Sequence, residues 1–239
     1  MLSIARSELI QIFRNRAVLI SSLIMPVAAS AFFVYQRDVF AMLGSLGYVS
    51  AVIVFTIAAF SLYGTIVTTL AARRQNLFLK RLRSTAASDL SILTGLVLPV
   101  AVIALAQVGL VLAVLTRLSG APSDVLLLIV AVAATFAMML ALGVATAGVT
   151  NSPEHAQVTA LPLSLGVIAV TSWVGITGTE ELAYLKRLLP GGAATELIVQ
   201  AWDGGVPLAD SLALLVPTLA WVAVAVVLAS RMFRWEPRR

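Results

Sequence analysis

The sequence predicts an all-α, polytopic membrane protein with six transmembrane helices and an N-terminal helix in the membrane interface. The composition excludes an ordinary soluble domain, because 60% of the 239 residues are hydrophobic and only 11% are charged. Soluble domains carry about 25% charged residues. Several apolar runs reach the length of about 20 residues that crosses the hydrocarbon core. Their hydrophobicity is continuous rather than alternating, which favours helices over a β-barrel.

Charged and turn-forming residues divide the apolar sequence into six runs of sufficient length. The predicted spans cover residues 17–35, 46–70, 90–115, 125–149, 158–176 and 212–230. The backbone of each run must satisfy its own hydrogen bonds in lipid, and an α-helix does so. We therefore predict a single transmembrane domain over residues 1–239.

Residues 1–16 precede the first span and have amphipathic character. The apolar face consists of Leu2, Ile4, Leu9, Ile10 and Phe13, with Arg6, Glu8 and Gln11 mainly opposite. This pattern predicts a helix that lies in the cytoplasmic interface; the alternative is a continuation of the first span. The segment does not resemble a cleaved signal peptide, because no short apolar core ends in a small-residue cleavage site.

The distribution of basic residues predicts the orientation. One set of loops holds twelve of the sixteen, which are Arg6, Arg14, Arg16, Arg73, Arg74, Lys80, Arg81, Arg83, Arg231, Arg234, Arg238 and Arg239. The other set holds Arg37, Arg117, Lys186 and Arg187. Basic residues concentrate in cytoplasmic loops. Both termini are therefore expected on the cytoplasmic side of the inner (plasma) membrane. The positive charge then reflects topology and contact with anionic membrane lipid, and no nucleic-acid partner is expected.

The most charged segment, residues 73–89, connects the second and third spans and reads RRQNLFLKRLRSTAASD. Residues 77–82 can form a short helix that shows one apolar face and one cationic face to the cytoplasm, away from the protein, and in which Phe78 and Leu82 lie one turn apart. Ser88 suits the N-cap of the third span, with Asp89 in its first turn. A solvated loop that only fixes the topology is the alternative.

Motifs for catalysis and for cofactor or metal binding do not occur in the sequence. It has no cysteine, and its single histidine, His155, lies in the short loop 150–157, where a solvated turn is the expected role. No glycine-rich loop ends in Lys-Ser or Lys-Thr, so this chain is not expected to bind ATP. We predict no catalytic residues, no cofactor and no metal site in this chain.

Ionisable residues occur only near the ends of the spans, which argues against a proton-driven carrier. The second span instead carries hydroxyl groups, and Ser61, Thr65 and Thr68 follow the spacing of one helical face. Such a polar stripe faces either a neighbouring helix or a transport pathway, and helix packing is the favoured alternative. Small residues four apart, such as Gly143 with Ala147, allow close helix approach.

The order of these elements resembles an ABC type-2 transporter permease over essentially the whole chain. The order is an N-terminal interfacial helix, two spans, the loop LKRLRSTAAS followed by DLSILTG, four further spans and a long last external loop. The segment from Leu79 to Gly95 carries the most specific part of the resemblance.

This resemblance implies a coupling helix that docks on a separate ABC ATPase subunit, where ATP and Mg would bind. The implied coupling residues are Leu77, Phe78, Leu79, Lys80, Arg81, Leu82 and Arg83. It also implies that the external segment 178–211 forms short helices, at 180–189 and 193–202, that dip partly into the outer leaflet. A plain extracellular loop is the alternative.

The expected function is the membrane half of an ATP-driven exporter for an amphipathic drug, antibiotic or lipid-like molecule. Six spans form half of a translocation path, so a second permease, identical or related, is expected as a partner. Three alternatives stay open at this point: an ABC permease for a lipid-linked glycan, a stand-alone secondary carrier and a non-transporting membrane scaffold.

Overall fold

The computed structural model describes residues 2–14, 19–84, 88–233 and 235, and no β-strand occurs among them. These residues form eleven helices, labelled α1 to α11 in chain order. They are α1 (Leu2–Arg14), α2 (Met25–Tyr35), α3 (Arg37–Leu43), α4 (Leu46–Gln75), α5 (Phe78–Arg83), α6 (Asp89–Ser119), α7 (Val125–Val149), α8 (Pro153–Thr177), α9 (Ala183–Leu188), α10 (Gly192–Asp203) and α11 (Leu208–Met232).

Within the described residues, five helices are long and apolar enough to cross a membrane: α4, α6, α7, α8 and α11. The remaining predicted span corresponds to a shorter apolar helix, Ser22–Tyr35. Its first residues belong to a π-helical segment, Ile20–Ile24, which continues as α2. The all-helical membrane architecture is therefore confirmed, while the count of six spans stays a prediction.

Some predicted features lie outside the described residues. They are residues 1 and 15–16 of the interfacial segment, the first two residues of the span 17–35, residues 85–87 of the basic loop, and Arg16, Arg234, Arg238 and Arg239 of the predicted cytoplasmic set. The helices α4, α6, α8 and α11 are longer than the spans predicted for them. The fourth predicted span, 125–149, coincides with helix Val125–Val149. The N-cap of the third span is confirmed, since the Ser88 hydroxyl accepts a hydrogen bond from the Ser91 N–H.

Helix α4 occupies the centre of the bundle. In its most apolar stretch 83% of the residues are buried, against 17% in α11. Small residues let α7 approach α4 closely, because a side chain at Gly143 would lie only 3.2 Å from Ile66. The apolar outer faces of α8 and α11 are exposed, as expected of helices that contact lipid.

The two ends of the bundle differ in chemistry. One end, here called the basic end, brings together α1, α5, the junction of α7 and α8, and the C-terminal residues after α11. The opposite end carries α9 and α10, and it is here called the hairpin end.

Helices α9 and α10 form a hairpin that enters the bundle. At the surface, the Gly47 N–H donates to the Asp203 carboxylate over 3.0 Å. At the tip, a side chain at Gly191 would lie 3.1 Å from the ring of Phe55. Phe55 follows Gly47 by eight residues on α4, so α10 reaches about 12 Å into the bundle. Segment 178–211 thus contains the short helices α9 and α10, and α10 is packed inside the bundle.

Candidate functional site

Helix α5 presents a different face from the one that the sequence predicts. Leu77 stands before its first residue in the left-handed region, with φ 60°. Leu79 is completely buried, and Phe78 and Leu82 are half-buried against the same core. The expectation that the apolar face points away from the protein is therefore wrong. Burial against the chain's own helices covers this apolar surface, which water would otherwise contact.

The surface that α5 leaves accessible is mainly cationic. Leu77, Lys80, Arg81 and Arg83 are exposed. Arg81 donates a hydrogen bond to the Asn76 carbonyl over 2.9 Å, which holds it close to the turn before α5. A partner that approaches the basic end therefore meets positive charge with one leucine beside it.

Arg73 joins α1 to the last turn of α4. Its guanidinium donates to the Glu8 carboxylate over 2.8 Å and to the Gln11 side chain, and it lies 5.3 Å from the Phe78 ring. The Glu8 side chain is only 2% exposed, so the pair is largely removed from water. The charges at positions 8 and 73 are far apart in the sequence, and no local pattern indicates that they meet. The contacts fix α1 beside α5.

The C-terminal residues contact α5 from another side. The Arg83 guanidinium lies 5.2 Å from the ring of Trp235, and it pairs with Asp89 over 3.2 Å. Trp235 packs edge-on against Phe233, with ring centres 5.4 Å apart. The backbone before Trp235 passes close to α7, since a side chain at Gly148 would lie 3.0 Å from the Met232 carbonyl carbon. Both ends of the described chain thus contact the α5 region.

Arg74 is buried, although sequence reasoning counted it only as a residue that sets orientation. Its side chain is 1% exposed, and it donates to the carbonyls of Ala147 and Thr150 at the end of α7. The last carbonyls of a helix lack partners within the helix and carry partial negative charge. Arg74 supplies both hydrogen-bond donors and the opposite charge, and it ties α4 to α7.

Ser61, Thr65 and Thr68, predicted to share one face of the second span, have different surroundings in the structure. Residues Ala58–Gly64 of α4 form a π-helical segment, in which a turn holds more residues than in an α-helix. The spacing rule for a regular helix therefore does not apply between Ser61 and Thr65. Ser61 contacts the Ser22 carbonyl and the Gln107 side-chain oxygen.

Gln107 of α6 completes this buried contact between α4 and the segment before α2. Its amide donates to the Ser22 carbonyl over 3.3 Å and to the Leu23 carbonyl over 3.2 Å. Both carbonyls belong to the π-helical segment before α2, so two π segments and α6 meet at one polar cluster. These contacts give Ser61 a packing role, which was the favoured interpretation of the stripe.

Thr65 and Thr68 line a cavity of about 500 Å³ between α4 and α8. The α4 wall consists of Phe60, Gly64, Thr65, Thr68 and Thr69, and the α8 wall of Pro153, Glu154, Ala156, Gln157, Ala160, Leu161 and Ser164. From Glu154 to Ser164 the cavity follows α8 for about 15 Å. Glu154 is exposed at the basic end. The cavity therefore extends inward from the basic end of the bundle.

The hairpin fills the bundle beyond the deep end of the cavity. Its tip contacts Phe55 of α4 and Val167 of α8, which lie about one turn nearer to the hairpin end than Phe60 and Ser164. Thr195 of α10 hydrogen bonds to Thr171 of α8 over 3.1 Å. These contacts bring α4, α8 and α10 together over the cavity.

Two basic residues of α9 hold the hairpin in place. Lys186 is 2% exposed and donates to the Gly178 carbonyl over 2.6 Å and to the Thr177 hydroxyl over 2.7 Å. Arg187 donates two hydrogen bonds of 2.7 Å to the carboxylate of Glu196, and these bonds raise the pKa of Arg187. Sequence reasoning counted both residues only as charges of an external loop.

Comparison with protein families matches residues 1–174 to the family described as ABC-2 type transporter. The matched region contains α1 to α7, most of α8, and every residue named above as lining the cavity. A search of curated proteins finds no match.

Proposed function

The chain belongs to the ABC-2 type transporter family, and from this membership we propose that it is the permease subunit of an ATP-driven exporter. It is a multi-pass membrane protein, and its family implies that it works with ABC ATPase subunits. We propose further that ATP and Mg bind to the ATPase subunits, since this sequence lacks a phosphate-binding loop.

The cavity between α4 and α8 carries this proposal. It extends from the basic end, and the hairpin is packed between the same two helices beyond its deep end. With the basic end in the cytoplasm, as the charge distribution favours, the cavity receives cargo from the cytoplasmic side. Export then requires the hairpin, α4 and α8 to separate at the hairpin end.

The basic end is the proposed contact with the ATPase. In this proposal α5 is the coupling helix, and its accessible face presents Leu77, Lys80, Arg81 and Arg83. The contacts of Arg73 with Glu8 and of Arg83 with Trp235 join α5 to both ends of the described chain. Movement of an ATPase against α5 is therefore passed to α1 and α4 as a unit, because packed helices move as rigid bodies.

The remaining features of the proposed assembly follow from the sequence. The span that ends at Tyr35 is the first of six, α1 lies in the cytoplasmic interface, and a second permease, identical or related, completes the path. The exposed residues Leu9, Ile10 and Phe13 support the interfacial position, since they present apolar surface away from the bundle. The cargo is an amphipathic drug, antibiotic or lipid-like molecule.

Purification from the native membrane tests this function. The tagged chain is expected to co-purify with an ABC ATPase, and inside-out vesicles that contain the complex should accumulate cargo only with hydrolysable ATP. A folded chain that purifies without any ATPase would contradict the proposal and favour a scaffold. Transport that persists without ATP would favour a secondary carrier.

A further inference from the structure

The lining of the cavity between α4 and α8 is not uniform. Its large apolar residues, Phe60 and Leu161, lie towards the deep end, where the one polar group is the buried Ser164 hydroxyl, while Thr68, Gln157 and Glu154 lie towards the basic end. Its volume of about 500 Å³ falls within the range of about 300–1,000 Å³ typical of sites for drug-sized ligands. The lining suits a molecule with an apolar body and one polar end, and the polar end lies at the basic end of the bundle.

The charge of the lining defines the chemistry of that polar end. Glu154 is the one ionisable residue among the described residues that line the cavity, and none of them is basic. Threonine, serine and glutamine side chains complete the polar lining, and each can accept a hydrogen bond. A phosphate or other anion would lose water here without meeting a cation, and it would stand beside a carboxylate.

The arginines that follow the cavity on α4 are directed elsewhere. Arg73 donates to Glu8 and Gln11 on α1, and Arg74 donates to the carbonyls at the end of α7. Neither lines the cavity. These two arginines thus bind α1 and the end of α7, and neither joins Glu154 in the cavity lining.

We propose that this cavity binds an amphipathic cation, with the positive group beside Glu154 and the apolar body towards Phe60 and Leu161. This inference rests on the proposed transport function and narrows its cargo. It disfavours a lipid-linked glycan, whose phosphate groups are anionic.

Glu154 also stands in the first turn of α8, where an acidic residue stabilises the positive end of the helix dipole. That role alone affects every ligand equally, because it acts through the position of α8. A role in cation binding changes the preference between ligands of opposite charge. The two roles are therefore separable with a pair of probes that share one shape.

Tetraphenylphosphonium and tetraphenylborate form such a pair, as ions of nearly equal size and opposite charge. Binding of each labelled ion to the purified permease–ATPase complex in detergent is measured, and detergent without protein is subtracted. Glu154→Gln should weaken phosphonium binding about threefold to fivefold, as for an ion pair at an exposed site. The affinity for tetraphenylborate should stay the same or rise.

Two variants serve as controls. His155→Gln changes the next residue, which does not line the cavity, and it should leave both affinities unchanged. Glu154→Asp keeps the charge and should retain most of the phosphonium affinity. Equal weakening of both ions by Glu154→Gln, or unchanged phosphonium binding, would overturn the proposal.

Failure of the cation-binding proposal can be told apart from failure of the proposed transport function. If the complex forms and transports in an ATP-dependent way but wild-type protein binds no phosphonium, the cation proposal is wrong and the transport proposal stands. If no ATPase associates, the transport proposal fails, and the same measurement on the chain alone still decides whether the cavity prefers a cation.

Discussion

Arg74 illustrates how a basic residue near a membrane boundary stabilises the fold as well as the orientation. Its guanidinium serves the last carbonyls of α7 and is almost completely buried. Arg81, on the same end of the bundle, is exposed and donates to the Asn76 carbonyl in the turn before α5. The two arginines have the same charge and different energetic roles.

Replacement of Arg74 by alanine should destabilise the protein. The variant removes charged hydrogen bonds from buried carbonyls, which costs about 2 kcal/mol. Thermal unfolding in detergent should show a midpoint a few degrees below that of the wild-type protein. Arg81→Ala is the matched control and should unfold at the wild-type temperature; equal midpoints for both variants would show that the Arg74 contacts contribute nothing measurable.

At the scale of single elements, the short helix α5 combines an inner apolar face with an outer cationic one. Leu79 belongs to the core, whereas Arg81 belongs to the surface that a partner can reach. Phe78 and Leu82 are half-buried, so aspartate at either position should lower both stability and ATPase coupling. These two variants alone therefore cannot isolate the proposed coupling role.

A pair of variants separates the two faces of α5. Leu79→Asp should lower the abundance of the protein in the membrane, because it buries a carboxylate without a partner. Arg81→Glu should keep normal abundance and reduce the amount of co-purified ATPase several-fold, because it reverses charge at the proposed contact. Leu79→Met nearly preserves the volume and serves as the control. Full ATPase retention by Arg81→Glu would argue against a contact at this residue.

The polar cluster of Gln107 joins α6, α4 and the π segment before α2 through the side chains of Gln107 and Ser61 and the backbone carbonyls of Ser22 and Leu23. Gln107→Leu removes two hydrogen bonds to carbonyls of the π segment before α2, and it leaves Ser61 without its partner on α6. We expect a loss of about 1 kcal/mol, as for hydrogen bonds between membrane helices, measured as a lower unfolding midpoint. Thr94→Val is the control, since its hydroxyl bonds to Leu90 of the same helix. A Gln107→Leu midpoint equal to that of the control would contradict the expectation.

On the scale of the whole molecule, the basic and hairpin ends define an axis across the membrane, and the charge distribution assigns its direction. Labelling of single cysteines tests this direction, because the chain contains none of its own. The positions must be exposed and tolerant of a side chain. Gly204 is unsuitable, since its φ is 78° and a side chain there would lie 2.8 Å from the Ser123 hydroxyl.

Cysteines at Ser123 and Glu180, both exposed at the hairpin end, should react with an impermeant reagent in intact cells. Cysteines at Ser84 and Asn151, exposed at the basic end, should react only after the membrane is opened. The expected pattern follows from basic residues being retained on the cytoplasmic side. Labelling of the Ser84 variant in intact cells would reverse the proposed direction of transport.

The sequence by itself determined the helical membrane architecture and most helix positions, because apolar length and helix caps are local properties. Val125–Val149 and the Ser88 cap were predicted from neighbouring residues alone. Thr65 and Thr68 were predicted as polar positions of α4, and both line the cavity.

Only the tertiary structure decided which of these residues act together. The inward position of Leu79, the pairing of Glu8 with Arg73 and the contacts of Arg74 join residues from different helices. The π-helical segment Ala58–Gly64 separated Ser61 from the cavity, and it has no signal in the apolar pattern. Such contacts depend on how helices pack against each other, and the free energy of packing comes from surfaces distant in the sequence.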